Sequence, residues 1–231
     1  AVKMEVQRSN PPKKGFLESV RRICDKEDIL LIFDECTSGF RETFGGLHKK
    51  YEVYPDISIF GKALGNGYAI TAIIGKEDVM EFAQNTFISS TFWTERIGPA
   101  AALKTLEVME NTKPWLTVTS IGSKVRDIWG GLAKLYDLDI SIGGLPAIST
   151  FAFKSHNALK YKTLITQEML KKGFLAGTAF YACTEHSDKI IEEYENYLEP
   201  IFVKIKECEE GRDINMLLDD DVCHNGFTRL N

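Results

Sequence analysis

The sequence lacks the marks of several protein classes. Its five cysteines (Cys24, Cys36, Cys183, Cys208 and Cys223) are odd in number, and none forms a CxxC pair. That spacing argues against a disulfide scaffold and against a zinc site, and makes reduced thiols in a cytoplasmic setting the simplest reading. The four histidines, His48, His156, His186 and His224, show no ligand spacing, so they read as structural or exposed and no metal is expected. No run of about 18 apolar residues exists, so no membrane-spanning helix is expected. The 28 Lys and Arg are dispersed among 33 Asp and Glu, for a net charge of −5, which does not fit a nucleic-acid binder. The opening "AVKMEVQRSN" has no initiator Met and no basic region ahead of an apolar run. It reads as cut from within a longer protein, whereas the polar ending reads as a natural C-terminus. Internal repeats and low-complexity tracts are absent.

What is present is an α/β pattern. The 231 residues, 44% hydrophobic and 26% charged, suffice for one sizeable core or two modest domains. Residues 1–6 read as a short strand. In the helix that follows, Phe16, Leu17, Val20, Ile23 and Cys24 share one face. The continuous apolar run Ile29 to Phe33 has the look of a strand buried on both sides in a parallel sheet. Strand, helix, strand at this spacing is a βαβ unit. Ile57 to Phe60 and Ala69 to Ile74 are further strands, with Gly65-Asn66-Gly67 as a turn before the second. A short helix spans Gly75 to Ala83, a small-residue helix follows in "GPAAALKTLEVMEN", and an amphipathic helix runs from Pro114 to about Tyr136. From Asp137 on, strands at Ala147–Phe153 and Phe174–Tyr181 alternate with helices at Leu159–Lys171 and Ser187–Glu209. The expected organisation is therefore a larger mostly parallel domain over 1–136 and a smaller α+β domain with a tail over 137–231.

Two features carry chemistry. The strand run "LLIF" leads into adjacent acids, Asp34 and Glu35. They could be plain loop residues, Asp34 turning the chain and Glu35 facing water. However, parallel strands place their carboxyl ends at the ligand crevice, where a desolvated acid needs a cationic partner such as a protonated cofactor ring nitrogen. The second feature is Lys62 in "IFGKALGNG", just past another short strand. It could be a surface lysine in a turn. Its small neighbours, though, leave room beside the amine, and an amine against apolar walls can act as a nucleophile toward an aldehyde. Pyridoxal phosphate needs this pair: a lysine for the Schiff base and an acid at the pyridinium nitrogen.

The blocks "LLIFDECTSGFRETFGG", "PDISIFGKALGNGYAITAIIG" and "SSTFWTERIGPAAALKTLEVME" together resemble the class III pyridoxal-phosphate aminotransferases, nearest to the branch holding glutamate-1-semialdehyde aminomutase. The resemblance covers essentially the whole chain but only the C-terminal half to two-thirds of such a protein. It implies fold type I, with part of the large domain plus the small one, and a homodimer with its active site at the interface. It implies a small-molecule amino donor and a carbonyl acceptor as substrates. It also implies roles: Asp34 at the ring nitrogen, Lys62 as the cofactor-bearing lysine, Cys36 against a face of the ring, and Thr91 on the cofactor phosphate of the other subunit. Glu5 matches the acid at a family strand end, although Val6 replaces the usual proline. Arg41, Trp93 and Arg96 are candidate substrate contacts, in a stretch that departs from the commoner family pattern. Each has a plainer alternative: Thr91 as a helix cap, Arg41 and Arg96 as surface residues, Trp93 as core. Transamination is the expected reaction. An aminomutase and a non-catalytic interaction subunit are the alternatives.

Overall fold

A computed structural model describes residues 2–4, 11–89, 91, 94–224 and 226. The chain divides into two compact units, 1–119 and 120–231. The division falls inside a long helix, N-terminal to the 136/137 boundary expected above.

The first unit is built on a four-stranded sheet in the order β1 (Val2–Lys3), β2 (Ile32–Asp34), β3 (Ile57–Phe60) and β4 (Ala72–Gly75). β1, β2 and β3 run parallel, and β4 returns antiparallel beside β3. Helix α1 (Phe16–Lys26) makes the crossover between β1 and β2, completing the βαβ unit. Short helices α2 (His48–Tyr51) and α3 (Glu77–Met80) follow β2 and β4, and α4 (Ile97–Thr112) leads to α5 (Pro114–Leu135).

Two apolar expectations are corrected here. β2 begins at Ile32, not Ile29, and both Ile29 and Leu30 are more than half exposed. The cause is local. Ile29 N–H still bonds to Cys24 O at the exit of α1, after Asp28 takes a left-handed conformation, so the chain has not yet entered the sheet. On α1 only Leu17 and Cys24 are buried, while Phe16 and Ile23 lie at the flanks of that stripe and stay exposed.

An acid pins the amino-terminal end of the sheet. Asp56, 5% exposed, accepts from Leu31 N (2.7 Å), Arg21 Nη1 (2.8 Å) and Lys76 Nζ (2.7 Å). Burial alone would raise its carboxyl, but Lys76, the Leu31 amide and Arg21 together hold it down to about 2.

The second unit packs the remainder of α5 with a three-stranded antiparallel sheet, β5 (Ile140–Gly143), β6 (Ile148–Phe153) and β7 (Ala179–Tyr181), and with helices α6 (Ala158–Leu170) and α7 (Asp188–Glu209). β5 was not anticipated: Ile140-Ser141-Ile142-Gly143 alternates, but over only four residues. The α7 residues Ile191, Tyr194, Leu198, Ile201, Ile205 and Cys208 recur every three or four positions and, with Phe202, form one buried stripe. Trp129, fully buried, donates to Tyr194 OH at 2.7 Å and stacks obliquely on Phe151. Burial pushes the Tyr194 hydroxyl up to about 12. These polar groups are satisfied and structural.

Candidate active site

The site is built at the carboxyl ends of β2 and β3. Asp34 is the last residue of β2 and is in register with Ile59 of β3. One residue past the end of β3, Gly61 leads into Lys62, which opens a 3-10 turn (Lys62–Leu64). Parallel pairing therefore brings the carboxylate and the amine, distant in sequence, to the same edge of the sheet. The turn is held by Leu64 N–H to Gly61 O (3.0 Å) and Asn66 N–H to Lys62 O (3.0 Å). Below it, Phe60 and Leu64 pack with Ala102 of α4, flanked by Phe40, Ile70 and Leu106.

Two non-glycine residues here have left-handed backbone. Lys62 has φ 46° and Phe40 φ 62°. Non-glycine residues reach this region at a cost of about 1–2 kcal/mol each and concentrate at functional sites. Gly61 has a different reason to be glycine: a Cβ there would stand 3.3 Å from Cys36 Sγ and 3.4 Å from Thr71 Cγ2. Its bareness lets Cys36 lie against the approach to Lys62. Cys36 also donates its N–H to Asp34 Oδ1 at 3.1 Å.

Glu35 does not face water. It is fully buried and serves as the anchor of the β2–α2 loop. Its carboxylate accepts from Ser38 Oγ (3.0 Å), the Leu47 amide and the His48 amide (3.0 Å), and lies 2.7 Å from His48 Nδ1. Gly46 makes room for it, since a Cβ there would come within 2.6 Å of Glu35 Oε1. Gly39 is similarly confined, against Phe60. The loop is thus closed around one carboxylate, and it carries Cys36, Thr37 and Arg41. The Lys62 amine donates to Thr37 Oγ1, and Arg41 Nε reaches Thr37 O at 3.4 Å.

The structure brings Asp34, Cys36 and Lys62 to one sheet edge, with Arg41 on the adjoining loop. Thr91 and Arg96 are exposed, ahead of α4 and at its N-cap, and among the described residues no hydrogen bond joins them to Asp34 or Lys62. The N-terminus of α4 is capped by Glu95, whose carboxylate accepts from the Ile97 and Gly98 amides. Glu5 and Trp93 lie outside the described residues. Sequence reasoning missed Thr37 and misread Glu35. The available signal was an acid followed three residues later by Ser38, then by two glycines and a histidine on the same loop.

A carboxylate and an amine at the ends of adjacent parallel strands form the donor set that pyridoxal phosphate requires, and the residues present fit it. Solved structures that share the fold include several transaminases. They also include the FumI protein of Sphingopyxis sp. MTA144 in its PLP internal aldimine form (TM-score 0.78, 21% identity, 88% of this chain and 50% of that one). Another is the ornithine aminotransferase of Toxoplasma gondii ME49 (TM-score 0.72, 24% identity, 86% and 49%). The fold is therefore that of the fold type I pyridoxal-phosphate transferases. Residues 9–198 match the Aminotransferase class-III family, and the chain belongs to that family. Its relatives include the 3-aminobutyryl-CoA aminotransferase of Cloacimonas acidaminovorans, 36% identical over 184 residues (77% of this chain, 44% of the relative). The glutamate-1-semialdehyde 2,1-aminomutase of Hyperthermus butylicus is 29% identical over 215 residues (85% and 50%). The chain spans about half the length of the curated relatives it matches.

Proposed function

We propose that this chain carries the lysine and carboxylate of a pyridoxal-phosphate site in an aminotransferase, moving an amino group between a small-molecule donor and an aldehyde or oxo acceptor. The observation that carries the reading is the placement of Asp34 and Lys62 at the carboxyl ends of paired parallel strands. When bound, the cofactor supplies an electron sink for a carbanion at the amine-bearing carbon. Asp34 offers a fixed negative charge to a protonated ring nitrogen, oriented by the Cys36 amide. Lys62 Nζ supplies the amine that holds the aldehyde, and once released takes and returns the proton at the substrate carbon. Cys36 fills the space over Gly61 as a small apolar wall.

The remaining assignments belong to the same reading. Thr91 serves the phosphate of a second subunit in a homodimer, and Arg41 and Arg96, with Glu5 and Trp93, select the substrate. Residues 1–136 form the later part of the large domain and 137–231 the small one. The setting is cytoplasmic, consistent with cysteines that pair with no other cysteine among the described residues. No helix among the described residues is long and apolar enough to cross a membrane.

The test is to add pyridoxal phosphate, reduce with borohydride and map the labelled peptide. The label is expected on Lys62 and absent from Lys62→Ala and Lys62→Arg, since a guanidinium is not nucleophilic toward the aldehyde. A label on another lysine overturns the assignment, and no label at all favours a non-catalytic interaction subunit. The aminomutase relative supports a second reading, 2,1-amino migration within one substrate. Product analysis separates the two: transamination requires an added 2-oxo acid acceptor, and migration does not.

A further inference from the structure

Within the candidate site one residue has no role in the scheme above, yet it touches the reactive amine. Thr37 is 2% exposed, and its hydroxyl accepts a hydrogen bond from Lys62 Nζ. The two residues are 25 positions apart, so the contact comes from the fold and not from a local turn. A buried hydroxyl held on a rigid loop is a defined acceptor. The loop here is rigid for a stated reason, the Glu35 carboxylate binding Ser38, Leu47 and His48 at its two ends. The Thr37 carbonyl is engaged separately by Arg41. The hydroxyl is therefore fixed in place while its lone pairs face the lysine.

We propose that Thr37 is a positioning residue that holds the Lys62 amine at rest. The inference rests on the reading of Lys62 as the cofactor-bearing lysine only for its second consequence. A Lys62 nitrogen that donates one N–H to Thr37 Oγ1 is tethered to the β2–α2 loop at that point. This restrains a flexible four-carbon side chain, so that an arriving carbonyl meets the nitrogen in one position. Glu35 acts one step further back, through the loop, and does not touch the amine.

The test uses the full chain and two aldehydes. The first is formaldehyde with cyanoborohydride: Lys62 Nζ bonds to the aldehyde carbon, water leaves, and hydride from the reagent fixes the new C–N bond as a methylamine. Rates are read for each lysine by mass spectrometry, and the exposed lysines elsewhere report on intact folding. Without cofactor, Thr37→Val is expected to remove this hydrogen bond and raise methylation of Lys62 about fivefold over those lysines, with Thr37→Ser restoring the wild-type rate. Equal rates in wild type and Thr37→Val overturn the inference. The second aldehyde is pyridoxal phosphate with borohydride. Relative to methylation, its attachment to Lys62 is expected to fall about tenfold in Thr37→Val and to recover in Thr37→Ser. An unchanged ratio means that the hydroxyl does not position the amine. Wild-type chain that never takes the pyridoxal label at Lys62 overturns the proposed function instead, while the methylation arm still decides whether Thr37 holds the amine.

Discussion

The two ends of the parallel sheet in residues 1–119 carry acids of the same chemistry in opposite settings. At the amino end, Asp56 is almost fully buried and is bonded by an amide, a guanidinium and an ammonium. At the carboxyl end, Asp34 is half-buried and receives the Cys36 amide. One acid is saturated by the fold itself and is spent on stability. The other keeps an accessible carboxylate at the edge where parallel sheets bind ligands. Glu35, next to Asp34 in sequence, belongs with Asp56 in kind: it is buried, multiply bonded and structural. The saturation of each carboxylate, rather than its residue type or neighbours in sequence, separates the scaffold acids from the candidate chemical one.

Substituting the two aspartates tests that contrast, and the largest effect should appear at the ligand edge. Asp34→Asn keeps the shape and removes the charge. Uncompensated loss of one partner in a buried charge pair costs about 3–5 kcal/mol, which corresponds to a rate lower by roughly 10²–10³ if it falls on the transition state. Turnover of the protein carrying Asp34→Asn, compared with its urea unfolding curve, checks this. Unfolding is expected to shift by no more than about 0.5 kcal/mol. Near-normal turnover would return Asp34 to the role of a loop cap.

Asp56→Asn should reverse the pattern. Turnover per folded molecule stays close to wild type, while unfolding free energy falls by about 3 kcal/mol, because Arg21 is left facing a neutral amide in a mostly buried site. The same acid sets a pH limb. Its folded value, about 2, lies below the ordinary 3.8, so its contribution is complete above about pH 4 and is lost as the pH falls from there toward 2. The size of that limb is about 2 kcal/mol. In the second unit Glu168 behaves alike: burial would raise it, but Lys171, Lys204 and Gln167 hold it to about 2. Asp56→Asn should therefore flatten the acid limb without abolishing it. An unchanged limb would mean that Asp56 is not held as described.

How much of this was legible in advance follows from the range of each interaction. β3 was readable to the residue, because the short stretch Ile57-Ser58-Ile59-Phe60 is bounded by Pro55-Asp56 and Gly61. Helix α5 was readable from Pro114 at its start and a sustained apolar period. Asp34 and Lys62 stood out because each follows such a strand. Of the partners of Glu35 only Ser38 is local, the others coming from 12 and 13 residues downstream, and those of Asp56 come from Arg21, Leu31 and Lys76, so the first network leaves a faint local pattern and the second none. The Thr37–Lys62 contact depends on parallel pairing in a definite register, which composition does not encode. Ile29 and Leu30 misled for the converse reason: they look like strand, but the hydrogen bond closing α1 claims the backbone first.

The smallest effect divides the two charged partners of Asp56 from each other. The Lys76 ammonium sits as close as the Arg21 guanidinium, 2.7 against 2.8 Å, so distance alone would rank them equal. Their surroundings differ. The Lys76 side chain is 56% exposed and that of Arg21 is 18% exposed. Water and salt screen the lysine, and fixing its long side chain costs rotamer entropy, so an exposed pair of this kind contributes about 0.5 kcal/mol. Arg21 lies along α1 and also pairs with Asp25 at 2.6 Å, so it is already held in position. Lys76→Ala is expected to lower unfolding free energy by about 0.5 kcal/mol, and that loss should shrink further in 1 M salt. Arg21→Ala should cost more, about 1–2 kcal/mol, and should change less with salt. Equal losses, or a Lys76→Ala loss as large as that of Asp56→Asn, would mean that the ammonium is effectively dry and that the amino end of the sheet is sealed more tightly than its exposure indicates.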